Sequence, residues 1–357
     1  MRRLVSALLA STLLAAGAAN GLSTPAVAQA LPPVPKAADA PTGPMTVEEQ
    51  RFTLEDLAKE LQDNFVFPEV ADRYAAMLRA KAKDNAYAQL TDPKAFAAQV
   101  TADLQAVAKD GHLRLTIAEE RGLPADLRSK EMAPKVDSMG LEETKMIGDV
   151  AYMRFTLFPP DPKVAQAARD FLIAHQDAKA VIIDSRGNHG GGLSVMDAFL
   201  PLLFAKETML VRMDTRASVG SGPFPYESLR RQPSPDTVVR ADQYVTPDPQ
   251  HIGLEHAPVY YLTSHYTASA AEHLALALKR THRATLVGET TRGAGHYGGV
   301  IPIGKRFAAF IPVGRTYDPE TNWDWEGKGV SPDVAVPADQ ALDKALELAR
   351  EAGAHPS

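Results

Sequence analysis

An α/β fold behind a small helical region is what this 357-residue sequence predicts, on three observations. Helix-start signals at Thr46, Pro68 and Asp92-Pro93 open three amphipathic segments close together. From about residue 144 onward, apolar strand-like runs alternate with helical stretches, the pattern of an α/β core. Two of those runs, Lys179–Ile183 and Val259–Thr263, are almost wholly apolar, as strands buried on both faces are, and each leads through small residues into a helix.

The elements follow in order. Thr46 with Glu49 forms a capping-box pattern before a helix to about Asn64. Pro68 suits the first turn of a second helix, to about Asp84. Asp92 caps a third, with Pro93 at its first position and Phe96, Val100, Leu104 and Val107 as its apolar stripe. Leu113–Ile117 alternates like a strand, and 119–140 carries mixed polarity and several breakers. Thr144–Ile147 and Val150–Phe155 read as a hairpin around Gly148-Asp149. A helix over Asp161–His175, the 179–183 strand, a helix over Leu193–Leu203 and a strand over Thr208–Met213 come next. Ser218–Pro258 is long and Pro-rich and reads as a surface excursion. Strands are expected at Ala284–Val287 and twice within Ile301–Val313, and a closing helix from Pro337 to about Ala352.

The N-terminus reads as an export signal. Arg2 and Arg3 precede the apolar run Leu4–Ala16, and Ala26-Val27-Ala28 is a small-residue cleavage site. This gives a signal peptide over 1–28, a Pro/Ala-rich linker over 29–45, a helical domain over 46–111 and an α/β domain over 112–357. A periplasmic or secreted protein is expected. There is no cysteine, so thiol catalysis, disulfides and thiolate metal ligands are excluded, and 45% apolar residues supply the core instead. A net charge of −6 without runs of like charge argues against nucleic acid or an anionic membrane as the main partner. No cofactor or metal is called for.

Candidate chemistry centres on Thr267-Ala268-Ser269-Ala270-Ala271-Glu272. A serine at the start of a helix sits among outward-pointing N–H groups that can hold an oxyanion, although on this segment alone the N-cap is the commoner reading of such a serine. A serine nucleophile needs a base. His112, at the junction of the third helix and a strand, is the best-placed histidine; it also reads as a helix C-terminal residue interacting with the dipole. His189 lies in a glycine-rich loop, and His265 and His273 are near Ser269 in sequence. The run Gly190-Gly191-Gly192 can present N–H groups to an anion. A phosphate-loop lysine is absent, so an oxyanion donor is the better reading. Asp184 and Arg186 are expected to pair and brace this turn.

Five segments in register resemble the tail-specific, or C-terminal-processing, serine protease family. They are Asp110-Gly111-His112, Asp184-x-Arg186-x-Asn188-x-Gly190-Gly191, Thr267-x-Ser269-Ala270-Ala271-Glu272, Gly288-Glu289-Thr290-Thr291, and Glu326-Gly-x-Gly-Val-x-Pro-Asp333. Together they span most of residues 46 to 345. The Ser–Lys branch of the family carries its lysine where this chain has Ala294, and a supporting glutamine where it has Gly298. The resemblance is therefore to the branch of the tricorn core and the interphotoreceptor retinoid-binding protein modules. It implies a crotonase-like spiral of ββα units, with Ser269 as nucleophile, His112 as base and Glu326 as its orienting acid. The reading of the glycine loop adds Gly190 and Ala270 as oxyanion donors. The relay serine that precedes the base in tricorn is Gly111 here. The space between Ala118 and Thr144 is too short for a PDZ domain. The implied activity is peptide hydrolysis on peptide or protein substrates. The same fold hosts non-catalytic modules that bind small apolar ligands such as retinoids, and acyl-CoA enzymes; export and the absence of a basic nucleotide pocket disfavour the latter.

Overall fold

The computed structural model describes residues 43–118 and 140–356. The signal-peptide assignment, most of the linker and the 119–139 stretch lie outside the described residues.

Helices α1 (Val47–Asn64), α2 (Pro68–Lys83) and α3 (Pro93–Val107) begin where their caps predict. Thr46 Oγ1 accepts the Glu49 N–H at 3.1 Å, and Asp92 Oδ1 accepts that of Ala95 at 2.8 Å. These contacts satisfy first-turn donors that have no partner within their helices. Leu54, Leu57 and Leu61 of α1, Tyr74 and Leu78 of α2, and Phe96, Val100 and Leu104 of α3 form one buried stripe. That stripe packs on Ile303, Phe307, Ala309 and Ile311 of the adjoining sheet, so helices and sheet bury a common core.

That first sheet is antiparallel. It runs β1 (Arg114–Ile117), β11 (Phe307–Tyr317), β5 (Thr208–Arg216), β7 (Val238–Val245) and β6 (Leu229–Gln232), with β10 (His296–Ile303) also paired to β11. Strands β6 and β7 correct the reading of 218–258 as a surface excursion. Val239, Ala241, Gln243 and Val245 turn one face of β7 inward. Arg240 and Asp242 of β7 pair across the ladder with Asp214 at 2.7 Å and Arg212 at 2.6 Å. Cross-strand ion pairs of this kind stabilise a sheet without an apolar second face.

The second sheet is ordered β12 (Val334–Ala335), β9 (Thr285–Gly288), β8 (Val259–Thr263), β4 (Ala180–Asp184), β3 (Val150–Phe155) and β2 (Leu141–Ile147). Only the β2–β3 hairpin is antiparallel. Every residue of β4 and β8 is buried, which explains their unbroken apolar runs. One face is covered by α4 (Pro162–Ala174), α5 (Ser194–Phe199) and α7 (Ala270–Arg280), while the single-turn α6 (Ala217–Gly220) belongs to the first sheet, at the end of β5. The other face is covered by α8 (Ala341–Glu351), whose Ala341, Ala345 and Ala349 recur at four-residue spacing and are fully buried. Neighbouring β4 and β8 are in register at Asp184 and Leu262, so the loops leaving their carboxyl ends emerge side by side. In open α/β sheets that edge is where ligands bind. Among the described residues no helix is long and apolar enough to cross a membrane.

Candidate active site

Ser269 sits between β8 and α7 with φ +54° and ψ −119°. A serine rarely adopts positive φ, and holding one there costs about 1–3 kcal/mol. The surroundings impose it. Ser264 N–H donates to Thr267 Oγ1 at 2.9 Å, the Thr267 hydroxyl to Ser185 O at 2.8 Å, and Ala268 N–H to Asn188 O at 3.0 Å. The serine turn is thereby stitched to the glycine-rich loop after β4. Asp184 and Arg186 brace that loop as expected, through contacts of 2.9 and 2.6 Å, and Tyr152 donates to Asp184 Oδ2 at 2.8 Å.

Gly190 abuts the serine. A Cβ there would lie 2.7 Å from Ser269 Cβ and 2.9 Å from Ala270 N, so only glycine allows this approach. Its N–H, however, is directed to Asn188 Oδ1 at 2.9 Å, which departs from the expectation that Gly190 donates to the oxyanion. Among the described residues the Gly191 N–H of this loop has no acceptor, nor has that of Gly187, and the Ala270 N–H opening α7 is likewise without one.

The base candidate lies on the turn after α3. Asp110 Oδ1 accepts the N–H groups of His112 and Leu113 at 2.9 and 3.0 Å, fixing the turn. The His112 ring stacks on Phe310, with centroids 5.1 Å apart and planes at 25°. Its Nδ1 is buried without a hydrogen-bond partner. Burial pushes its pKa down to about 4, partly opposed by the Asp110 charge, so the ring is neutral at physiological pH.

Glu326 reaches this turn through the backbone. Its Oε1 accepts the Gly111 N–H, and its Oε2 accepts those of Gly295 and His296 at 2.6 and 2.9 Å. A Cβ at position 111 would sit 3.1 Å from Oε1, so glycine leaves the carboxylate free to take the amide directly. Burial and the Asp110 charge raise the Glu326 pKa.

Sequence reasoning missed two parts of this site. The first is the buried pair of Asp110 Oδ2 and His296 Nδ1, at 2.7 Å. Burial acts against both charges, but their mutual attraction wins, holding Asp110 low and His296 high. Asp110 stood in a quoted motif; His296, 186 residues away, gave no signal. Asp110, His296 and Glu326 bring ligand-type atoms within 4.8 Å of one another. Both carboxylates already accept backbone N–H groups, so the cluster works as a hydrogen-bonded bracket around the His112 turn. The second is the role of Glu272, which is fully buried. It accepts from Ser269 N at 2.8 Å, Thr291 Oγ1 at 2.6 Å, Gly293 N at 2.6 Å and Ala294 N at 2.8 Å.

Ser269 opens on a cavity of about 650 Å³, walled by residues of the first sheet, the start of α7, the glycine loop after β4 and the 219–229 segment. Ala294 is in its wall, where the Ser–Lys branch would place its lysine. His273 also lines it, with Nε2 on Gln243 Oε1 at 2.6 Å and Nδ1 on Thr316 Oγ1 at 3.3 Å. Burial lowers the His273 pKa to about 4. His189 has a buried Nδ1 without a partner, while His265 pairs with Glu289 at 3.0 Å on the surface.

Gln243 passes the network to Asp197, which also accepts from Ser228 Oγ at 2.8 Å. Burial raises the Asp197 pKa from 3.8 to about 6. A folded-state pKa above the unfolded one favours folding below about pH 4, and the benefit is lost as pH rises through 6. At pH 8 the charge is therefore a liability. An asparagine at this position would keep both contacts, because its carbonyl accepts from Gln243 and the Ser228 hydroxyl can turn to accept from its amide. Asp197→Asn is thus expected to add about 1–3 kcal/mol of stability at pH 8 and almost nothing at pH 4. Denaturant unfolding at the two pH values checks this; an equal effect at both would contradict it.

Known proteins match this chain over the same elements. A family model described as Peptidase family S41 matches residues 149–336. A model described as the N-terminal domain of Peptidase_S41 in eukaryotic IRBP matches residues 46–156. Carboxy-terminal processing protease CtpB of Bacillus subtilis (strain 168) is 24% identical over 212 residues, which are 58% of this chain and 38% of that protein. The chain thus spans well under half of that relative's length. Among solved structures, the photosystem II D1 C-terminal processing protease superposes with a TM-score of 0.52 at 13% identity, covering 86% of this chain and 98% of the other. The tricorn protease gives 0.52 at 13%, covering 86% and 37%. At these identities the superpositions speak to the fold.

Proposed function

The chain belongs to peptidase family S41, and on that premise we propose that it is an exported serine peptidase acting through an acyl-enzyme on Ser269. The observation that carries this reading is the positive φ of Ser269 beside two unoccupied N–H donors. An ordinary N-cap needs no such strain.

In this mechanism Ser269 Oγ attacks the scissile carbonyl while His112, neutral beforehand, takes its proton. The Gly191 and Ala270 N–H groups hold the oxyanion; loss of one such donor typically costs ~10²–10³ in rate. Gly190 serves by allowing the loop to touch the serine. His112 then delivers the proton to the leaving amine, and water releases the acyl group. Glu326 and Asp110 hold the base's turn through its backbone, and the Glu326 charge supports the imidazolium at longer range. Peptides or proteins are the substrates. Export rests on the N-terminal signal, so secretion into the periplasm or medium belongs to the same proposal.

The test is covalent labelling with a fluorophosphonate probe, followed by peptide mapping across pH. Ser269 is expected to be the labelled residue. The rate should hold from neutral pH down to about 5 and fall through about pH 4, because protonation of His112 removes the base. An unperturbed histidine would place that fall near ~6.5. Labelling elsewhere would remove Ser269 from its role, and a rate that does not fall at all on acidification would remove His112; a fall near ~6.5 would show only that burial leaves the His112 pKa unshifted.

A further inference from the structure

The cavity beside Ser269 has a chemistry that says which peptides fit. Met213, Phe224, Tyr226, Leu229, Val313 and Trp325 make up much of its wall, and none of its lining residues is an acid, a lysine or an arginine. Among its polar groups both nitrogens of His273 already have partners, and the Trp325 indole N–H is a buried donor without one. Its volume of about 650 Å³ lies within the ~300–1,000 Å³ range of sites that enclose whole small ligands. A methyl group would leave most of this apolar surface wet, whereas an aromatic or long aliphatic side chain would cover it.

The cavity's position fixes which side of the scissile bond it serves. Ser269, Ala270 and Gly191 are all in its wall, whereas His112 is not. The imidazolium must hand its proton to the leaving amine, so the leaving strand runs on the His112 side. The cavity therefore faces the residue that contributes the attacked carbonyl. We propose that it is the specificity pocket for a bulky apolar side chain on that residue, so that the chain cuts peptides after aromatic or large aliphatic residues. Part of the wall comes from the 219–229 segment before β7, which gives that stretch a role in substrate choice. This inference rests on the serine-peptidase reading.

The experiment uses internally quenched peptides identical except at the residue before the cut, carrying Phe, Leu, Ala, Lys or Asp, with the full chain as enzyme. Each missing methylene in an apolar pocket is worth roughly 10–200-fold. Phe or Leu should therefore exceed Ala by at least about tenfold in kcat/KM, with Lys and Asp below Ala. Leu229→Trp, which fills the cavity from β6, should cut the Phe:Ala ratio about tenfold or more. A wild-type preference for Ala, Lys or Asp would overturn the proposal, and that series stands even if the variant fails to fold. An unchanged ratio in a folded Leu229→Trp protein would overturn it too. If the fluorophosphonate probe labels Ser269 but cleavage ignores the varied residue, the pocket assignment falls alone. If neither labelling nor cleavage occurs while a hydrophobic fluorophore such as anilinonaphthalene sulfonate binds stoichiometrically, both readings fall in favour of a carrier of apolar ligands.

Discussion

Ser269→Ala is expected to lower kcat by on the order of 10⁶ while leaving the fold intact, the scale seen when a serine nucleophile is removed from a working triad. The variant removes one oxygen and keeps the backbone turn, the Glu272 contact to the residue 269 N–H, and the cavity. The paired substitution separates chemistry from strain. Both Ala and Ser must hold φ near +54° at this position, whereas glycine adopts it freely. Ser269→Gly should thus be inactive yet more stable than Ser269→Ala by about 1 kcal/mol, after the larger chain entropy that glycine loses on folding. Kinetics on protein free of host peptidases and thermal unfolding of both variants check this. Residual turnover near wild type in either variant would remove Ser269 from the mechanism. Equal stability of the two would show that the turn is not strained.

How much of this was readable beforehand depended on how local the determining interaction is. The three N-terminal helices announce themselves because Thr46, Asp92 and Pro93 act within one turn of their own residues. The buried strands β4 and β8 are legible because parallel strands covered on both faces admit little but apolar residues. Strand β7 was hidden by the length and proline content of the 218–258 stretch, and the ladder contacts of its Arg240 and Asp242 go to Asp214 and Arg212 on another strand, which no local pattern shows. The same division runs through the site. Ser269, Ala270 and the glycine loop stand out because their chemistry depends on neighbours in sequence. Whether the Gly190 N–H is free depends on which N–H the Asn188 side chain takes, a matter of rotamer and not of motif. His296 escaped because a histidine within a strand reads as nothing in particular until Asp110 is brought 2.7 Å from its ring.

Glu272→Ala is expected to have the other large effect, and to act on stability and rate together. Thr291, Gly293, Ala294 and the Ser269 N–H all donate to this one buried carboxylate. Burial raises its pKa while those four contacts work to lower it. Alanine would leave four donors without an acceptor in a dry interior, where each costs ~1–3 kcal/mol before relaxation. A net loss of about 3–5 kcal/mol follows. Glu272→Gln should be intermediate, because its amide nitrogen faces two of the donors and can accept from neither. The rate effect has its own cause. Glu272 fixes residues 291–294, which run on into the Gly295 and His296 amides held by Glu326, and Glu326 in turn holds Gly111 beside His112. These two glutamates thus tie the Ser269 turn to the His112 turn through one short segment. Loosening it should misplace Ser269 relative to His112 and depress kcat more than it raises KM, since the cavity that binds substrate is walled largely by other elements. A folded Glu272→Gln protein that loses stability at unchanged kcat would limit Glu272 to the scaffold, whereas a matched fall in kcat makes it the residue that positions the nucleophile.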